Sequence, residues 1–437
     1  MADNTGTQLF KMLDPGFEAE FIQEDTRTLA TRVSENAIQA NTSVRERDAW
    51  VRVFRDGRIG TASGLVMSDE DIGGLVMEAL SDWKKSTEPS AVVPAPDANL
   101  PFNPVADPDI RDEDPLRRAE RLGHAVSIIR KHGLEFTGAY TTKVIQRRLL
   151  STAGADFTAE HSLADVSCTI QGAGSGWARV FSTRADDVRL PDLVRTAGGK
   201  ALNSARPEPL KPGRYTVILE PAAVGSMLLF LGFLSFGGRS YNRGTSFLSG
   251  KIGEKVMADH MTIEDDAADT RMDGWPFDYE GTPVRKVMLV EKGIARGVVH
   301  DMTTAENAKA ASTGHALAPG NNFGPYPRCV HMHGGKTPLP DVFASVENGI
   351  LVTRLWYINY VNPMRSMITG TTRDGTFEIR NGKPVRAVSE MRFVESILEA
   401  FNRSVLLSRE TRYIRQFGST LRVPWMVIPD FEFTEVI

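Results

Sequence analysis

Alternation of apolar and polar positions marks short strands along most of this chain, and helical spacing appears at only a few places. Segments 50–54 and 59–62 flank Asp56-Gly57, a pair that tolerates positive φ and so predicts a tight hairpin. Behind Ser68, a residue type that caps helix N-termini, Ile72, Leu75, Val76, Ala79, Leu80 and Trp83 fall on one helical face. Pro115 suits the first turn of a second helix, whose buried face is read as Leu116, Ala119, Leu122, Val126 and Ile129. Segment 87–115, between the two, is rich in Pro, Asp, Asn and Ala and reads as an extended loop. Strand-like runs return at 134–142, 144–151, 164–171 and 177–182, and 190–202 has helical character.

The strongest break is Pro207-Glu208-Pro209-Leu210-Lys211-Pro212-Gly213, where three prolines resist both helix and central strand. It divides the chain into residues 1–206 and 207–437. The second part is strand-rich, with runs at 215–219, 284–290, 297–301, 328–333, 351–360, 377–379, 385–392 and 421–428. Glu291-Lys292-Gly293 and Arg380-Asn381-Gly382 are hairpin turns, and 393–401 is read as a helix. The longest apolar stretch, 226–236, is too short for a bilayer, which needs roughly 20 residues, so it reads as a buried core segment.

Composition narrows the partners. A formal net charge of −4 gives no general attraction to nucleic acid or acidic membranes, and 437 residues suit two domains. Two cysteines exclude a disulfide framework and point to a reducing cytoplasm. The first sixteen residues lack the basic and apolar regions of a secretory signal. Lys143 with Arg147-Arg148 reads as a solvated strand face rather than a DNA contact.

Several segments carry a resemblance. They are the run 51–64, VRVFRDGRIGTASG, Asn242-Arg243-Gly244-Thr245-Ser246-Phe247-Leu248-Ser249-Gly250 followed by Lys251-Ile252-Gly253, and Phe277-Asp278-Tyr279-Glu280-Gly281-Thr282-Pro283. Two more are Glu291-Lys292-Gly293-Ile294 leading to Ser312-Thr313-Gly314-His315-Ala316, and Ile379-Arg380-Asn381-Gly382-Lys383-Pro384-Val385. In order and spacing this set resembles the TldD/PmbA family, also known as modulators of DNA gyrase. The resemblance implies an α+β chain: an N-terminal α/β domain with an antiparallel sheet and two or three helices, then a strand-rich C-terminal domain. It also implies a two-chain zinc peptidase. The TldD-type chain would carry His-Glu-x-x-x-His on a helix and a later cysteine. Three such ligands leave zinc an open position for water, and the glutamate acts as general base.

Carried onto this chain, that motif falls on Phe230, Leu231 and Ser235, and nothing from Pro221 to Lys251 is His, Glu, Asp or Cys. Of eight histidines, none precedes a glutamate. Gln416-Phe417-Gly418-Ser419 stands where the cysteine would lie. The expected protein is therefore a PmbA/TldE-like subunit with no catalytic residue, no metal and no cofactor of its own. The resemblance places zinc in a TldD-like partner. Asn242, Arg243, Asp278, Glu280, His315 and His331 are candidate groove or interface residues.

Rival sites are weaker. Cys329, His331 and His333 share one strand face, but positions two apart lie roughly 6.5–7 Å apart and seldom converge on one metal. Glu264-Asp265-Asp266 with Asp269 and Asp273 lacks the spacing of a calcium loop and reads as a solvated loop. Gly237-Gly238-Arg239-Ser240 and segment 172–176 lack the lysine of a phosphate loop and suit close backbone approach. Ser226 lacks a nucleophile elbow's second glycine. Three functions stay open at this point. The first is a non-catalytic subunit contributing interface and peptide groove. The second is a peptide-binding or scaffolding homodimer without peptidase role. The third is an enzyme with a relocated metal site at Cys329, His331 and His333. None involves nucleic acid or membrane.

Overall fold

The computed structural model describes residues 10–87 and 89–437, so the start of the signal-peptide reading, at residues 1–9, lies outside the described residues. Six strands form an antiparallel sheet: β1 (Glu18–Ser34), β2 (Ala37–Arg55), β3 (Arg58–Leu65), β4 (Glu135–Ser151), β5 (Asp156–Gln171) and β6 (Ser175–Ser182). They lie in the order β3-β2-β1-β4-β5-β6. At the β2–β3 turn, Asp56 and Gly57 take φ of 53° and 68°, as a two-residue primed turn requires. The runs 134–142 and 144–151 are one unbroken strand, paired along its length to β1 and β5.

One face of this sheet carries the helices. Helix Asp69–Lys85 starts in a capping box between Ser68 and Asp71, and its Ile72, Leu75, Val76 and Ala79 pack on Phe21, Val51 and Val53. Helix Pro115–Arg130 is capped by Asp114 and buries Leu122, Val126 and Ile129. Its predicted face needs correction: Leu116 is exposed, and Arg118 is buried instead. Arg118 Nη1 donates to the Leu29 carbonyl and the Thr142 hydroxyl and lies 3.4 Å from Glu113, which offsets part of its desolvation. The third helix, Leu190–Asn203, packs so closely on β6 that a Cβ added at Gly176 would lie 2.1 Å from the Ala197 carbonyl oxygen.

The rest of the chain builds an eleven-stranded sheet. Its strands are β7 (Gly213–Leu219), β8 (Ile263–Asp265), β9 (Val287–Glu291), β10 (Ile294–Ala295), β11 (Cys329–Met332) and β12 (Asn348–Asn362), then β13 (Met367–Arg380), β14 (Lys383–Ala387), β15 (Met391–Ser396), β16 (Leu406–Gln416) and β17 (Ser419–Val436). The path runs β10-β9-β8-β11-β17-β15-β13-β12-β7, and β7 also pairs with β17, so five of the strands close a ring. Segment 297–301 is not a strand; Val299 makes an isolated bridge to Gly237, and Asp301 caps the short helix Met302–Asn307. Segment 393–401 is not one helix either. Val394 pairs with Thr369 and Phe393 with Gly370, which holds β15 extended to Ser396 before the helix Ile397–Arg403 begins.

The free face of the first sheet meets the second part of the chain. Ile22, Leu149 and Phe157 pack against Trp275, Phe277 and Tyr279. Arg147, read as solvated, is buried in this seam, with its guanidinium 4.1 Å from the Trp275 ring centroid and 4.2 Å from that of Tyr279. Its Nε donates to Glu24 Oε1 at 2.6 Å, and its Nη1 to the Phe277 carbonyl at 3.3 Å. The Tyr279 hydroxyl donates to the same Glu24 oxygen at 2.7 Å. Burial alone would raise the Glu24 carboxyl; Arg147 and Tyr279 outweigh it and hold the group below its ordinary value. Among the described residues no helix is long and apolar enough to cross a membrane.

Candidate functional site

Helix Pro221–Ser235 follows β7 directly, opened by Pro221 in its first turn. It is apolar on all sides because nearly all of it is covered, by β12, β16 and β17 among others, with Phe230, Phe233 and Leu234 partly buried. Leu231 and Ser235 are buried, and Phe230 is partly buried. At Gly225 an added Cβ would lie 2.4 Å from Ile414 Cδ1, so β16 approaches the helix closely.

The last turns of this helix are an aromatic assembly. Phe230 packs 5.1 Å from Tyr360, whose hydroxyl donates to the Phe230 carbonyl at 2.7 Å. Phe233 stacks on Tyr326 at 4.9 Å and 20°, with Phe323 and Phe417 at 6.3 and 6.4 Å. Burial pushes the Tyr326 and Tyr360 hydroxyls well above their ordinary range, so neither is a ready base. The β16–β17 turn lies beside the helix: Gln416 Nε2 donates to Ser226 Oγ at 3.2 Å, and Phe417 holds φ of 47°. The chain thus brings the segment 416–419 and the helix together across 190 residues. Ser226 Oγ donates to the Ala222 carbonyl at 2.9 Å, an ordinary helical back-bond. Sequence reading did not single out Tyr326, Tyr360 or Phe323; the Phe230/Phe233 spacing marks a helical face but not its partners.

The candidate groove residues lie in two other places. Asn242 Nδ2 donates to the Thr304 carbonyl at 2.9 Å, and Arg243 is exposed beside it. Asp278, buried, accepts from the backbone N–H groups of Glu280, Thr282 and Ala316 at 2.9, 2.9 and 2.8 Å, which fixes the turn around Gly281. Glu280, also buried, accepts from Met302 N–H at 2.8 Å. His315 Nε2 lies 3.0 Å from Asp265 Oδ1, and its Nδ1 lies 2.9 Å from the Thr313 hydroxyl.

The acidic run is not a solvated loop. Glu264, Asp265 and Asp273 are buried because β8 pairs with β11 and because each acid has a donor. Asp265 receives Cys329 N–H at 2.8 Å, and Asp273 receives Arg415 Nε at 2.9 Å. On β11 and just beyond it, the three zinc-competent side chains Cys329, His331 and His333 do not converge. Burial, then the Asp265 carboxylate, pushes the Cys329 thiol well above its ordinary value. His331 Nε2 stands 3.5 Å from Asp269, and His333 Nε2 stands 3.1 Å from Glu264. Among the described residues no group of three His, Cys, Asp or Glu side chains is placed to hold a metal.

Burial, then the neighbouring Asp278 charge, raises the Glu280 carboxyl to about 8. A folded-state value above the ordinary 4.5 means that the folded chain keeps a proton the unfolded chain has released. This group's contribution is therefore present in acid and lost as pH rises toward 8. Glu280→Gln keeps an acceptor for Met302 N–H and carries no charge. Thermal melts of both proteins should show the variant gaining on the wild type as pH rises from about 5 to about 8. A melting-temperature difference that stays flat with pH contradicts this.

Comparison with known proteins matches residues 212–435 to a family model described as the PmbA/TldA metallopeptidase C-terminal domain, and residues 19–81 to PmbA/TldA metallopeptidase domain 1. The Metalloprotease PmbA of Escherichia coli O157:H7 is 25% identical over 396 residues, covering 85% of this chain and 83% of that protein. The Metalloprotease TldD homolog of Buchnera aphidicola (subsp. Acyrthosiphon pisum) is 28% identical over 257 residues, covering 56% of this chain and 52% of that protein. The crystal structure of TldE from Thermococcus kodakarensis superposes with a TM-score of 0.89 at 21% identity, over 99% of each chain; at that identity the likeness is one of fold.

Proposed function

This chain belongs to the PmbA/TldA metallopeptidase family, and from that membership we propose that it is the non-catalytic, TldE/PmbA-like subunit of a two-chain zinc peptidase. A TldD-like partner supplies zinc and general base; this chain supplies interface and part of a groove for small or unfolded peptides. One observation carries the reading. The helix Pro221–Ser235 has no imidazole, thiolate or carboxylate, and aromatic packing occupies its C-terminal turns. Zinc requires nitrogen, sulfur or oxygen donors at about 2.0–2.3 Å. Phe230 and Leu231 offer none, so the residues present do not fit the metal.

Extended peptides are held by main-chain pairing to strands, and a strand-rich chain suits that mode. The assembly is taken to be a heterodimer in the cytoplasm. The test is reconstitution. The chain purified alone should leave an unfolded peptide substrate uncut, and adding a TldD-like chain with an intact His-Glu-x-x-x-His should give both a complex and cleavage. A stable homodimer that never captures such a chain would favour a scaffolding role instead.

A further inference from the structure

We propose that the cleft between the two sheets is a binding groove for acidic peptide segments. The cavity holds about 590 Å³. One wall is β6 and the helix Leu190–Asn203; the other is β16 with the start of helix Pro221–Ser235. Glu220, Pro221 and Ala222, at the end of that helix opposite the aromatic assembly, also line it.

Its charge is unbalanced in a specific way. Three acids line it, two of them ion-paired and the third hydrogen-bonded by a hydroxyl. Asp187 accepts from the Ser182 hydroxyl at 2.7 Å, Asp192 pairs with Arg195 at 2.9 Å, and Glu220 pairs with Lys200 at 2.7 Å. Arg189, Arg271 and Arg412 also line it, and among the described residues none of them is in an ion pair. Arg189 comes from the first part of the chain and the other two from the second, so the cations face the cleft from both walls.

Aromatic surface accompanies the charge. Trp177, Tyr413 and Trp425 line the same cavity, and the Arg412 guanidinium stands 5.2 Å from the Trp425 ring centroid. Arginine held on an aromatic face is pre-organised to meet a carboxylate bidentately. The chain as a whole is acidic, with a formal charge of −4, so this cleft is a local exception that would select ligand carboxylates. Peptide is favoured over nucleic acid because the three cations are spread across a cleft rather than along a continuous basic stripe.

The groove needs no zinc-bearing partner, so its test is independent of the subunit assignment. Fluorescence anisotropy of a fluorescein-labelled Glu/Gly decapeptide, titrated with the full-length chain at low salt, should show saturable binding that a Lys/Gly decapeptide lacks. Arg189→Gln, Arg271→Gln and Arg412→Gln combined should weaken that binding at least about tenfold, with an unchanged circular dichroism melt. These arginines are exposed, so loss of folding is not expected. Tryptophan emission should change on binding in the wild type and not in Trp177→Phe/Trp425→Phe. Absence of saturable Glu-peptide binding, a triple variant within about twofold of wild type, or tighter binding of a single-stranded oligonucleotide would each overturn the proposal.

Discussion

Arg147→Ala is expected to destabilise the protein by roughly 3–5 kcal/mol, the cost of leaving a buried charge without its partner. The substitution strands Glu24, whose largely buried carboxylate would keep the Tyr279 hydroxyl as its remaining side-chain donor. It also removes a cation stacked between Trp275 and Tyr279 and a donor to the Phe277 carbonyl. Because β1 and β4 supply one side and 275–279 the other, the loss falls on the contact between the two parts of the chain. Urea unfolding should therefore show a lower midpoint or a separated transition for the first part. Arg147→Lys should recover little, since an ammonium cannot reproduce the planar stack or the fork. A midpoint within the range of surface substitutions would contradict this account of the seam.

The second large effect is expected at Leu231. The His-Glu-x-x-x-His motif that the family resemblance implies would put a glutamate there, yet in this chain the side chain is fully buried in the main core. Leu231→Glu would lose its packing and bury a carboxylate among apolar neighbours, a cost of roughly 4 kcal/mol or more. Leu231→Met, which conserves volume, should cost less than about 1.5 kcal/mol. The contrast separates packing from chemistry: a position that tolerates Glu as readily as Met is not a core position, and the loss of the motif would then have another cause.

What could be read in advance follows from how local each signal is. The Asp56-Gly57 turn, the Ser68 cap and Pro115 at a helix start depend on neighbouring residues, and all appear as expected. The first strand and the outer half of β2 were not legible. Residues 41–47 are exposed in the sheet's outer ribbon, so no apolar alternation marks them. The 17-residue β1 is recognisable only from its pairing with β2 and β4. Buried charge was misread for a related reason. Arg147, Asp265 and Asp273 look like surface residues in sequence, because the groups that bond to them are far along the chain. For the site, that 221–235 holds no His, Cys, Asp or Glu was legible residue by residue. The ring of Tyr326, Tyr360 and Phe323 around it was not, since each comes from a different segment.

The central claim concerns donors, so the most direct measurement is the metal content of the isolated chain. After purification, incubation with zinc and exhaustive dialysis, elemental analysis should find far less than one zinc per chain, and the same sample should cleave no peptide. One firmly held zinc per chain, retained through dialysis and accompanied by chelator-sensitive peptide cleavage, would contradict it.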